Sequence, residues 1–520
     1  MTVVETEYAA GRARRAGAWT EIALASLLAT LWVVLSAPGP DYFVRSNETG
    51  HQLAGAWNLL HSGQWPQIDY FTSYGPGRYL VSALGLLISQ NGLFGELLTR
   101  TLCCVFYLLL LHRLLRALGA DTALTWLLFA AAAIALPPSH KYWTALCPLL
   151  TLWAIFRFTR APSLSSAAVM GLALGFAGLF RADYGLFALV PALVALAAAD
   201  LSGRRGRITL AMLAGAAVIL APWSIAVAAR HNLFSVLVDW AETGAATGAG
   251  LALPHPLLNW YDPPLTLAFF FFVLTPLVGL WQQRSQPRGA QRAFALAVHV
   301  SALVNLVQSS HRADWLHLLQ GLSPGFVSLA LVALALPRIQ HRWRNLALLD
   351  LLLCLNLGSV VLIATPAATL EHWRAVALSK SEFEQNYVSR QPIGQVARLA
   401  RRCLPPQTPT LFYPFSPQLH YFSERPFAGG MPYLAPGFFS APAQQAEVIE
   451  VLQHQHPPLL FWNEDYAYDD RPERNGVNTH PLLHAYVRTH YVREKRVGDF
   501  SVYVLQGSDE ALWACVREAR

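Results

Sequence analysis

Charge is scarce in this 520-residue chain: 13% of residues are Asp, Glu, Lys or Arg, against 54% hydrophobic. That balance excludes an ordinary soluble protein and points to multiple membrane spans. Lysine is scarcer still, since only Lys141, Lys380 and Lys495 stand among 38 basic residues. The net charge of +7 is carried by arginines between apolar runs, which is a topology signal and excludes a nucleic-acid reading. There are six cysteines. Cys103, Cys104, Cys147 and Cys354 lie in apolar runs and read as small core residues. Cys403 and Cys515 fall in a more polar part and can pair if it faces an oxidising compartment, although their spacing does not demand it. Internal repeats and low-complexity tracts are absent.

Apolar runs fall at about 20–37, 78–91, 97–118, 122–137, 141–157, 164–181, 184–200, 208–229, 263–281, 291–308, 316–336 and 345–364. The expected fold is therefore a polytopic α-helical membrane protein of about 11–12 apolar segments over 1–365. A C-terminal soluble α/β domain follows over 366–520. Arg12, Arg14 and Arg15 precede the first run, and no small-residue cleavage site follows it, so it reads as a span. Placing every basic segment in the cytoplasm is consistent only if 78–118 crosses once in net, with 78–91 re-entrant or joined to its successor. About eleven crossings result. The N-terminus is then cytoplasmic, and the loop 38–79 and the C-terminal domain lie outside, across a bacterial inner membrane.

That loop, PGPDYFVRSNETGHQLAGAWNLLHSGQWPQIDYFTSYGPGRY, is too long for an ordinary connection and too aromatic for a solvated linker. Ser46 or Asn47 can cap a helix with Glu48 in its first turn and Leu53, Ala56, Trp57 and Leu60 on one face, an amphipathic helix lying in the interface. Asp69 sits before a Gly-Pro turn, and Asp41 opens the loop. Two such acids can act together, one taking a proton from an acceptor hydroxyl while the other orients it or holds a metal. The bland reading makes Glu48 a first-turn helix acid and Asp69 a turn residue. Ionisable residues also gather in the outward turns PPSHKY, RADY, 230–262 and HRADWLH. Charge near membrane depth is expensive and usually functional, so one polar cavity beneath the loop is the economical explanation.

An acid followed by E-x-x-H-x-x-A-x-x-L-L-x-x-G and then by DY and a Gly-Pro resembles the first extracytoplasmic loop of the GT-C membrane glycosyltransferases. It looks most like their bacterial protein-mannosyltransferase-like branch. GLALGFAGLFRADYG and HRADWLH are similar to further segments of that class. The resemblance implies a polyprenyl-phosphate-sugar donor, transfer on the outer side, and a loop acid as base. Many members carry Asp-Glu where this chain has Asn47-Glu48, which leaves the base open among Glu48, Asp69 and Asp41.

A lipid-phosphate leaving group needs cations at the outer surface, and Arg suits phosphate through its forked donors. Arg181, Lys141 and Arg312 are placed for that, with His140 and His311 as helpers and Asp183 and Asp314 two residues beyond their arginines. The bland alternative is snorkelling at the interface. His311, Asp314 and His317 make a metal site only across a bend, so no metal ligands are assigned. A divalent metal ion stays the one cofactor candidate. Glu464-Asp465 reads as a solvated turn. The leading function is transfer of a sugar to a cell-envelope glycan, lipid or protein. The alternatives are a transporter or flippase of a lipid-linked glycan, which would show polar residues on both sides and a twofold pattern, and a non-catalytic polysaccharide-assembly protein.

Overall fold

The computed structural model describes residues 3–36, 39–45, 47–136, 141–201, 203–231, 233–253, 262–307, 310, 315–335, 350 and 366–518. Apolar runs fold as helices because only a helix satisfies its own backbone polar groups where water is excluded. In chain order these are α1 (Val3–Leu35), the loop helices α2 (Pro40–Arg45) and α3 (Asn47–His61), then α4 (Pro76–Ile88) and α5 (Gly92–Ala117). There follow α6 (Thr122–Ile134), α7 (Tyr142–Arg160), α8 (Leu164–Phe180), α9 (Ala182–Ala198), α10 (Arg205–Ala228), α11 (Leu233–Gly250), α12 (Pro263–Gln282) and α13 (Ala290–Asn305), with a further helix at Trp315–Leu334. Among the described residues, Gly92–Ala117, Arg205–Ala228 and Pro263–Ser285 are long and apolar enough to cross a membrane.

Packing in this bundle depends on small residues. A Cβ on Gly171 would strike the Met212 carbonyl, and one on Gly215 the Ala168 carbonyl, so α8 and α10 touch backbone to backbone. The other face of α10 shows Leu210, Leu213, Val218 and Ile225 outward, a surface suited to lipid. The thirteen-residue α4 is about 20 Å long, shorter than the roughly 30 Å apolar core of a bilayer. It turns back on α5 through contact of Gly85 with Gly95. The run at 78–91 is thus one arm of a tight helical hairpin.

The C-terminal part contains a four-stranded sheet of order β1-β2-β4-β3, from β1 (Leu411–Tyr413), β2 (Leu459–Trp462), β3 (Tyr491–Val497) and β4 (Phe500–Leu505). β1 and β2 run parallel across the helix Pro442–Gln455, while β4 pairs antiparallel with both β2 and β3. The two-residue period of a strand divides the core. Phe412, Leu459, Phe461, Val502 and Val504 pack on the helix Pro392–Cys403, and Leu411, Leu460, Trp462 and Tyr503 face Val448, Leu452 and Val487. A disulfide joins Cys403 to Cys515.

The first of those two cores does not stop at the sheet. It continues through Phe43, Val44, Leu53 and Trp57 of the loop to Leu86 of α4. Every residue of α3 from 49 to 58 is buried, between α4 and the helix Gln418–Ser423. This corrects the expectation of an amphipathic helix lying in the interface. The apolar stripe of α3 is real, but its polar face meets protein instead of water, with Asn47 Oδ1 accepting from Gln418 Nε2 at 2.6 Å.

Candidate active site

The loop returns to the bundle at Gly75, whose N–H donates to the Phe180 carbonyl at the end of α8 (2.8 Å). A Cβ at Gly75 would run into the Leu179 carbonyl. That contact sets Tyr74 beside Arg181, which separates α8 from α9. Two guanidiniums approach the ring of Tyr74, with Cζ of Arg78 at 3.9 Å and of Arg181 at 5.9 Å from its centroid. His51 of α3 and Trp143 of α7 close on the same ring, at 5.5 and 6.1 Å. Tyr433 reaches His51 from the C-terminal part (4.7 Å). The loop, α3, α4, α7, the α8–α9 junction and the C-terminal part therefore converge on one aromatic, cationic cluster, the Tyr74 pocket.

A chain of buried polar groups runs inward from it. Arg78 Nε donates to Gln52 Oε1 (3.3 Å), and Gln52 Nε2 reaches Tyr142 OH (2.7 Å), Ser82 Oγ (2.5 Å) and Glu96 Oε2 (3.5 Å). Tyr79 OH joins His51 Nε2 (2.8 Å) and Thr72 Oγ1 (2.6 Å). Arg78, Gln52, Glu96 and Tyr142 are at most 5% exposed. Such groups are costly to bury and are kept only in connected networks.

The expected site residues divide among several surroundings. Arg181 and Asp183 belong to the pocket: Arg181 Nε donates to Asp183 Oδ1 at 2.6 Å and its Nη2 pairs with the other oxygen. Two of the guanidinium's five N–H donors are so engaged, which fixes the plane of the fork and leaves the rest for a ligand. Lys141 is buried one residue before α7, directly preceding Tyr142 and Trp143. Asp69 sits farther out. Its carboxylate accepts from the Trp65 N–H at 2.8 Å, closing the turn, with Arg230 Nη1 at 3.9 Å. The neighbouring Tyr70 phenol is pushed well above its ordinary range, by burial first and by Asp69 second, so it stays neutral. Asp41 accepts from Gln391 Nε2 (3.2 Å) at the edge of the C-terminal part. Among the described residues no hydrogen bond or ion pair joins Asp41 or Asp69 to Arg181 or Lys141. Glu48 stands in the first turn of α3, with its side chain outside the described residues. His140, His311, Arg312 and Asp314 also lie outside them.

Sequence reasoning passed over Arg78, Gln52 and Glu96. Arg78 looked like the flank of a run. Glu96 and Arg100, one helical turn apart inside an apolar stretch, were the legible sign of a functional interior. No group of three His, Cys, Asp or Glu able to hold a metal occurs among the described residues.

No known family model matches the sequence, and no curated protein does. The structure is similar to that of ArnT from Cupriavidus metallidurans in the apo state, with TM-score 0.52, 17% identity and coverage of 94% of this chain and 98% of that one. It is likewise similar to ArnT bound to undecaprenyl phosphate, with TM-score 0.53, 16% identity and coverage of 94% and 99%. The chain thus shares the fold of ArnT over nearly the whole length of both proteins, a polytopic helical membrane fold with a small sheet in its C-terminal part. These likenesses show the fold, and they do not support the protein-mannosyltransferase branch that the loop motif resembles.

Proposed function

We propose that this chain is a GT-C glycosyltransferase moving a sugar from a polyprenyl-phosphate-linked donor to a glycan, lipid or protein of the cell envelope, with inversion. The observation that carries the reading is the pair of guanidiniums, Arg78 and Arg181, gathered at Tyr74 where loop, bundle and C-terminal part meet. Forked donors among buried aromatic rings suit a phosphodiester whose leaving oxygen gains charge. ArnT, which shares the fold, has been crystallised with undecaprenyl phosphate bound. Arg181 and Arg78 hold the phosphate, and Asp183 orients Arg181. Lys141 and, from its place in the sequence, Arg312 complete the cationic wall.

Glu48 is the base of first choice, followed by Asp69 and Asp41. It takes the proton of the acceptor hydroxyl as that oxygen attacks C1 of the sugar. The C1–O bond to phosphate breaks, and the polyprenyl phosphate leaves on the arginines. In this reading the N-terminus is cytoplasmic, and the loop and residues 366–520 face outward. The Cys403–Cys515 disulfide supports that side, since disulfides persist in oxidising compartments. The test is incubation of the purified chain with a panel of polyprenyl-phosphate sugars and envelope acceptors, read by mass spectrometry. Stoichiometric polyprenyl phosphate and glycosylated acceptor are expected. Movement of intact donor across a vesicle membrane without transfer would replace this reading by the flippase.

A further inference from the structure

On the C-terminal part, away from the pocket, a groove of about 460 Å³ runs between the helix Pro392–Cys403 and β3. It is lined by Arg398, Arg401, Arg402 and Lys495, with Gln395 and two apolar residues, and no acid. This departs from its surroundings. Elsewhere in the same part Arg474 pairs with Asp469, Arg493 with Glu464, Arg496 with Asp465, and Arg517 with both Glu494 and Glu510. Arg398 and Arg402 make no ion pair among the described residues. Arg398 Nη1 is held by the Ser389 carbonyl (2.7 Å) and Arg401 Nη2 by Glu384 (2.6 Å), so both forks are oriented in advance.

The second observation is a change of register in β3. Val492 pairs with Val504, Arg493 with Tyr503, but Lys495 with Val502, which leaves Glu494 as an extra residue in the ladder. Strict alternation would put Glu494 on the face of Val492, toward the helix Pro392–Cys403. The bulge brings Lys495 onto that face, while Glu494 is engaged by Arg517 (2.9 Å) of the C-terminal helix Glu510–Glu518. Bulges recur where a side chain must be re-aimed. Here one adds a cation to a groove that already holds three arginines, with the adjacent acid occupied by Arg517. The cost is visible in Lys495, whose ammonium is held below the usual range by burial first and by Arg402 second, with Glu494 opposing. A folded domain that gathers like charges in this way is arranged for an anion.

We infer that the groove between Pro392–Cys403 and β3 is a phosphate-binding site, distinct from the pocket at Tyr74, that takes the oxyanion of an anionic lipid headgroup or of a free phosphorylated chain. It stands independently of the transfer reaction. The chain's three lysines make the test simple. Full-length protein in phosphatidylcholine nanodiscs is reductively dimethylated with 13C-formaldehyde, and the Lys495 signal is assigned by its loss in Lys495→Arg. Inorganic pyrophosphate, added at constant ionic strength with chloride as control, should move the Lys495 signal saturably and raise its titration midpoint. Lys380, paired with Glu424, should stay in place, and any response of Lys141 should be unchanged in the Arg398 and Arg402 variants. Arg402→Gln and Arg398→Gln, both at the surface, should each weaken the response about tenfold, the worth of one charge-assisted hydrogen bond. A Lys495 shift seen only when phosphatidylglycerol replaces phosphatidylcholine would assign the headgroup as the source. A Lys495 signal indifferent to both pyrophosphate and phosphatidylglycerol, or equally responsive in the two arginine variants, would overturn the site.

Discussion

The helical bundle and the outer part of the molecule, the loop with residues 366–518, handle charge in opposite ways. In the outer part ionic groups are mostly paired near the surface: Arg496 with Asp465 at 2.5 Å, Arg517 with Glu494 at 2.9 Å. The pair of Lys380 with Glu424, at 2.6 Å, clamps the loop, because the Lys380 ammonium also lies 3.6 Å over the Trp57 ring. Desolvation lowers the Lys380 pKa, and Glu424 opposes it. In the bundle charge is rare, yet Arg78, Glu96 and Tyr142 are buried together around Gln52 of the loop helix α3. The outer part uses its ion pairs for assembly, while the bundle meets the loop through a connected set of buried polar groups. The loop belongs to both, with its apolar side in the sheet's core and Tyr74 in the pocket.

The largest effect separating the two regions should come from the loop acids. Glu48→Gln keeps shape and removes the proton acceptor, so transfer should fall by about 10²–10⁴-fold with the protein still inserted. Asp69→Asn should also be severe if it partners or replaces Glu48. Rate against pH distinguishes them, since losing the base removes the acidic limb and losing a partner only lowers its height. Full activity in both variants would break the comparison, for the loop would then be structural alone.

Stability should show the reverse ranking. Leu53→Ala empties a site 2% exposed in the core shared by loop and sheet, and should cost about 2–5 kcal/mol. Leu210→Ala, on the outward face of α10, should change stability by only about 0.5 kcal/mol. Thermal melts in one detergent check both, and equal effects would mean that the loop does not share that core.

Much of this was legible in the sequence. The strands at 459–462 and around 411 and 503, the crossover helix and the hairpin at Gly498-Asp499 follow from two-residue and helical periods bounded by Gly and Pro. The helix of the loop was readable from its cap. Its burial was not, because a polar face meant for water and one meant for protein have the same pattern. Arg78 and Glu96 were hidden for a related reason. Periodicity reports where apolar residues lie, while a functional interior depends on which buried polar groups meet, and that is set by long-range packing such as Gly75 on Leu179.

Acid should weaken the outer part first. The His420 imidazole is held down to about 3 and that of His480 to about 4, both by burial. As pH falls below about 6.5 the unfolded chain takes up protons that the fold refuses, so stability is lost progressively towards pH 4 and 3. The loss is on the order of a few kcal/mol. Glu424, lowered against burial by Lys380 and Arg401, works in the same sense, since its contribution disappears as it protonates below about 4.5. Limited proteolysis across pH 7 to 4 should cut within 366–518 before the bundle, and His420→Phe should flatten part of that dependence.

The central claim is that the two guanidiniums at Tyr74 receive a lipid phosphate, and binding of undecaprenyl phosphate to the full chain, read by native mass spectrometry, tests it most directly. The wild type should retain the lipid. Arg181→Gln, with an unchanged melting temperature, should lose affinity about tenfold or more, and Arg181→Lys should recover only part, because the charge returns without the fork. Equal retention by the wild type and Arg181→Gln would contradict the account.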